Sequence, residues 1–193
     1  FDSADLLILD GGMGRELLRI GAPFRQPEWS ALALLEGPDW VVRAHRNFIE
    51  AGAGLVTTNS YAVVPFHIGD ERFAAQGREL AELSGRLARR AVEESGRAGV
   101  LVAGSLPPLF GSYRPDLYDH ERAPAIIDPL VEGLAAHVDL WLGETLGSIV
   151  EARTVRAALD RIGDRRPLWL SFTLDDVVPG TLRSGGPVEI GRA

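Results

Sequence analysis

Two acids occupy matching places in this chain. Asp10 follows the apolar run Leu6-Leu7-Ile8-Leu9 and runs straight into Gly11, Gly12 and Gly14, while Glu144 closes the largely apolar segment Val138 to Gly143. Polar residues close three further runs of this kind. Thr58, Asn59, Ser60 and Tyr61 end the one that begins at Leu55, Ser105 ends the one that begins at Val100, and Thr173 follows Leu168 to Phe172. Short apolar runs read as strands buried on both faces. If such strands are parallel, their C-terminal ends share one rim, where parallel α/β folds bind their ligands. Acids and hydroxyls in a site screened by Tyr61 suit a small cation, such as the ammonium group of an amino acid. Either acid would serve as a general base if desolvation raised its pKa. Plainer roles stand beside these: Asp10 as the cap of the next helix, and both acids as partners of arginines.

Composition removes several other chemistries. The 193 residues contain no cysteine, hence no disulfide, thiolate nucleophile or sulfur ligand for a metal. All 20 basic residues are arginine. A Schiff-base lysine, a pyridoxal-phosphate lysine and a Walker-type phosphate loop are therefore excluded. A hydrophobic content of 46% with a net charge of −7 describes an acidic globule with a real core, without the basic footprint of a nucleic-acid binder. No apolar run approaches the roughly 18 residues of a membrane helix, and no signal peptide is visible. The expectation is a cytoplasmic protein with a small-molecule substrate and neither a nucleic-acid nor a membrane partner.

The elements that must position these residues alternate. Strands are expected at Leu6 to Leu9, Leu55 to Thr58, Val100 to Ala103, Val138 to Leu142 and Leu168 to Phe172. Helical spacing appears between them, over Met13 to Ile20, Pro38 to Gly52, Glu71 to Ser95, Pro124 to Ala136 and Ser148 to Ile162. Strict alternation calls for a parallel sheet with right-handed crossovers, either open and doubly wound or part of a (β/α)8 barrel. The glycines at positions 11, 12 and 14 lack the dinucleotide-binding spacing, and no acid ends the second strand to hold a ribose.

Other chemistry-bearing residues carry less. His67 with Asp70 and Glu71, and Asp119-His120-Glu121, resemble metal clusters only in composition; both lie in polar loops with no established ligand spacing. His45 reads as a partly buried structural residue. His137 reads as a cation near a helix end, and Trp40, Trp141 and Trp169 read as core.

Taken together, the motifs resemble the homocysteine S-methyltransferase family. Those that carry the resemblance are Asp10-Gly11-Gly12-Met13-Gly14-Arg15-Glu16-Leu17, Trp29-Ser30, His45 through Gly52-Ala53 to Thr57-Thr58-Asn59-Ser60-Tyr61, Ala103-Gly104-Ser105-Leu106-Pro107-Pro108, Glu144-Thr145 and Ser171-Phe172-Thr173. The family usually has threonine where Arg15 stands. The resemblance implies a (β/α)8 TIM barrel with about its first five βα units in this chain. It implies one homocysteine-binding domain over 1–193, incomplete at the C-terminus, and exposed sheet edges that leave a homo-oligomer open. It implies methyl transfer to the homocysteine thiol from a donor such as S-methylmethionine or S-adenosylmethionine. Asp10 with Gly11, and Glu144, would hold the substrate's amino-acid head, with Thr58, Asn59, Tyr61 and Ser105 around it. Zinc belongs to the complete family, on one cysteine after the sixth strand and a pair after the eighth. Those ligands are absent from this sequence, so no metal ligand and no catalytic residue is assigned here. The alternative is an inactive remnant that binds an amino acid or a partner.

Overall fold

A computed structural model describes residues 6–188. Its centre is a parallel sheet of four strands, β1 (Leu55–Thr57), β2 (Leu101–Leu106), β3 (Leu140–Leu146) and β4 (Leu168–Phe172), hydrogen-bonded in that order. Seven α-helices are described around it: α1 (Met13–Arg19), α2 (Ala31–Glu36), α3 (Pro38–Glu50), α4 (Pro65–Ile68), α5 (Asp70–Ser95), α6 (Ala123–Leu134) and α7 (Ile149–Arg161). Each β-to-β step crosses through at least one helix. Every strand therefore runs the same way and all C-terminal ends face one side. Among the described residues, no helix is long and apolar enough to cross a membrane.

Local sequence explains several element ends. Pro38 opens α3, where a missing N–H costs nothing. Gly96 closes α5 in the left-handed region at φ 63°. The turn from β3 into α7 is a capping box. The Ser148 hydroxyl accepts from the Glu151 N–H at 3.2 Å, and the Glu151 carboxylate accepts from Gly147 N–H at 2.8 Å and from the Ser148 hydroxyl at 3.0 Å. It fixes the chain just beyond Glu144.

The first expected strand is corrected by the structure. Residues Leu6 to Leu9 make one parallel bridge, Leu9 to Leu55, supported by Asp10 N–H to Leu55 O at 3.0 Å and Gly54 N–H to Ile8 O at 2.9 Å. Leu6, Ile8 and Leu9 are 88%, 53% and 44% exposed rather than buried on both faces. The physical reason is position. The stretch lies at the sheet edge, paired on the β1 side only, and an apolar run is buried on two faces only where layers cover both.

Trp141, fully buried on β3, locks β3 against β2. Gly104 makes room for it: a Cβ there would stand 2.9 Å from the Trp141 ring and 3.1 Å from Val138. The Arg166 guanidinium lies 5.3 Å from the ring centroid. Gly104→Ala should therefore destabilise the fold by about 1–3 kcal/mol through overpacking, measured as a lower urea midpoint. An unchanged midpoint would show that the ring can yield.

Candidate functional site

Asp10 stands where the first stretch leaves the sheet. One carboxylate oxygen accepts the Thr57 N–H at 2.7 Å and the other accepts the Thr57 hydroxyl at 2.9 Å. Thr57 is the last residue of β1, so the acid is held by the neighbouring strand end. The cap expected as its plainer role is not formed: helix α1 begins at Met13 behind Gly12, with no side-chain cap. Burial pushes the Asp10 carboxyl up to about 6. The two Thr57 hydrogen bonds pull the other way, and the charge of Glu144 adds to the rise. Glu144, on β3, is raised chiefly by burial, against the hydroxyl that Ser105 donates to it. Both acids line one cavity of about 970 Å³, together with Gly11, Thr57, Thr58, Asn59 and Tyr61.

The remaining expected residues divide by depth. Thr58 and Asn59 are 2% exposed. Thr58 accepts the Ser105 N–H at 2.9 Å and Asn59 donates to the Ser30 carbonyl at 2.9 Å. Tyr61 is half-buried, with its hydroxyl 2.8 Å from that of Ser112 and its pKa raised by burial. Gly11 lines the cavity, and a Cβ there would lie 3.0 Å from the Phe48 ring. Ser105 does not line the cavity; it is fully buried and reaches the site through Glu144. Thr173, directly after β4, does not line the cavity either; its N–H and hydroxyl both go to the carbonyl of Leu146 at the end of β3.

Several lining residues escaped the sequence reading. Thr57, marked in the sequence only as a strand residue within the Thr57-to-Tyr61 motif, is the partner of Asp10. Phe24, Trp29 and Phe66 form an aromatic wall, with Phe24 and Trp29 edge to face at 5.7 Å. His67 joins that wall. Its Nδ1 is 2.9 Å from the Pro27 carbonyl, which can only accept, so Nδ1 carries the proton; burial lowers its pKa. Thr145, directly after Glu144, is a β-branched residue at φ 62°, an unfavourable backbone state of the kind stored at sites. Ser171 holds it by accepting its N–H at 3.2 Å.

The metal-like cluster around His67 is not in a loop: His67 lies in α4, and Asp70 and Glu71 open α5. Asp70 pairs with Arg122 at 3.3 Å, and Asp119 accepts the N–H groups of Glu121 and Arg122 at the entrance to α6. Among the described residues, no three metal-ligating side chains come together. With no cysteine, the sequence offers no thiolate ligand to zinc. His45, expected to be partly buried, is fully buried with neither ring nitrogen partnered, and burial lowers its pKa to about 4. It is neutral for that reason. His137 is likewise lowered by burial, which disfavours the helix-end cation expected of it. Trp141 is core, whereas Trp40 and Trp169 are half-buried at the core's margin.

A cavity with two desolvated carboxylates, neutral acceptors, aromatic rings and no arginine in its lining fits a small cation that carries N–H donors. The family model described as homocysteine S-methyltransferase matches residues 7–190. Homocysteine S-methyltransferase YbgG of Bacillus subtilis is 30% identical over 198 residues, covering 91% of this chain and 61% of its own length. Homocysteine S-methyltransferase 4 of Zea mays is 28% identical, covering 94% and 59%. This chain thus spans about three fifths of those relatives. The metallated form of the homocysteine methyltransferase MmuM from Escherichia coli superposes with a TM-score of 0.83 at 34% identity, over 96% of this chain and 68% of that one.

The facing of the two acids gives a direct test. Glu144→Gln should lower the Asp10 titration midpoint from about 6, followed by the carboxyl carbon's NMR shift, because it removes the second negative charge. An unmoved midpoint would place the carboxylates out of each other's field.

Proposed function

Because this chain belongs to the homocysteine S-methyltransferase family and has its (β/α)8-barrel type of fold, we propose that it presents the amino-acid-binding face of such an enzyme. The reaction passes a methyl group from a cationic donor, such as S-methylmethionine or S-adenosylmethionine, to the thiol of homocysteine. One S–C bond forms as the donor's S–C bond breaks, the electron pair stays with the donor sulfur, and the thiol proton goes to solvent. Methionine is the product. The cysteine ligands that zinc takes in the family are not among these residues, so the chemistry assigned to this chain is binding and orientation.

One observation carries the reading: Asp10, beyond the edge stretch paired to β1, and Glu144, on β3, meet in one cavity, each already fixed by a neighbour. An ammonium group supplies three N–H donors and a positive charge to two half-buried carboxylates that otherwise hold their charge against a desolvation penalty. Fixing that head also sets where the sulfur lies, and orientation of reacting atoms is a large part of a methyl transfer's rate. The aromatic wall of Phe24, Trp29 and Phe66 excludes water and offers ring faces to a donor's positive charge.

Calorimetry tests the assignment. Asp10→Ala and Glu144→Ala should each weaken homocysteine binding about tenfold or more, since a charge-assisted hydrogen bond is removed. Equal affinity in parent and variants would contradict it. A second expectation follows from the sign of the Asp10 shift. Asp10 is anionic at about pH 7.5 and increasingly neutral as the pH falls through about 6. Affinity for the ammonium should fall over that interval, and a flat profile would count against the role.

A further inference from the structure

Glu144 does not take its place at the rim unaided. Its carboxylate accepts the hydroxyl of Ser105, and Ser105 is gripped through both its own N–H and its own C=O. The Ser105 N–H donates to Thr58 Oγ1 at 2.9 Å, the Thr58 and Ser60 hydroxyls are 2.8 Å apart, and Ser60 donates to the Ser105 carbonyl at 2.8 Å. Donor directions follow from chemistry. The Ser105 N–H can only donate and its C=O can only accept, so Thr58 accepts there and Ser60 spends its proton there. The Thr58 proton is then the one that joins the two hydroxyls. Each proton is used once, and the ring closes without water.

We infer that Thr58, Ser60 and Ser105 are positioning residues: a closed hydroxyl circuit between the end of β1 and the end of β2 aims the Ser105 hydroxyl at Glu144 and thereby sets where the site's second carboxylate meets the substrate ammonium. This rests on the reading of Glu144 as an ammonium holder given above.

Burial makes the circuit directional and stiff. Thr58 is 2% exposed, and Ser60 and Ser105 are both 0%. Loss of any one hydroxyl would strand a buried partner, so alternative arrangements are disfavoured. The side-chain hydroxyl of Ser105 takes no part in the ring; it is spent on Glu144 alone. The circuit reaches the ligand through that single group, so structure and substrate recognition can be separated. Glu144 is faced by Asp10 and Tyr61, whose own ionisations it disfavours. Ser105 supplies the hydrogen bond that favours Glu144's ionised form.

The test uses the whole chain. Followed by the carboxyl carbon's NMR shift without ligand, Glu144 should titrate at higher pH in Ser105→Ala than in the parent. An unmoved midpoint would overturn the proposal whatever the chain binds. With homocysteine in the calorimeter, Ser105→Ala and Thr58→Val should each bind about tenfold more weakly, and Thr58→Ser should return to within about twofold because it restores the hydroxyl. In a Glu144→Gln background, adding Ser105→Ala should cost no further affinity, because the group it acts through is gone. An equal loss in both backgrounds would make Ser105 merely structural and overturn the proposal. Parent-like binding by Ser105→Ala, with weak binding by Glu144→Gln, would overturn the proposal alone. Parent-like binding by Glu144→Gln would overturn the role of Glu144 and this proposal with it.

Discussion

The site depends on a row of hydrogen bonds that runs sideways along the strand ends. Asp10 is held by Thr57 at the end of β1, Thr58 grips Ser105 at the end of β2, Ser105 reaches Glu144 on β3, and the Thr145 N–H reaches Ser171 on β4. Each link crosses from one strand to the next. The parallel sheet brings these ends to one side; the lateral row decides which atoms face the cavity. Without it, two carboxylates taken from water would be expected to take protons or turn outward.

That row accounts for the electrostatics. Both acids carry raised pKa values because burial outweighs the hydrogen bonds made to them. The fold supplies enough donors to fix the carboxylates in place, and too few to satisfy their charge. A ligand's cation completes them. Preorganisation of this kind shifts the ordering cost from the moment of binding into folding. The strained Thr145 beside Glu144 belongs to the same arrangement, since its N–H is held by Ser171 while its backbone sits at φ 62°.

How much of this the sequence makes legible varies with physical cause. Strand and helix alternation is written in periodicity: α3, α5, α6 and α7 lie within two residues of the spans that helical spacing marks, whereas α4 (Pro65–Ile68) falls in a stretch that reads as a loop. Asp10 and Glu144 are legible because an acid that ends an apolar run has few other places to go. Leu6 to Leu9 misleads because apolar composition reports a preference for burial, whereas its edge position is a tertiary fact. Thr57 is hidden because β-branched residues are ordinary in strands, so nothing marks the one whose hydroxyl turns to an acid. Ser105 and Thr173 look alike in sequence, each a hydroxyl closing a strand. One reaches Glu144 and the other bonds a neighbouring carbonyl, a difference set by register between strands. His45 looks like any helical histidine until packing removes every partner from its ring.

Everything at this site turns on where an amino acid's ammonium sits. A crystal structure of this chain with homocysteine bound tests that most directly. The ammonium nitrogen should lie within hydrogen-bonding distance, about 2.7–3.2 Å, of both the Asp10 and the Glu144 carboxylates, with the Ser105 hydroxyl still on Glu144. An amino acid seated elsewhere, or held in this cavity with neither carboxylate on its nitrogen, would contradict it.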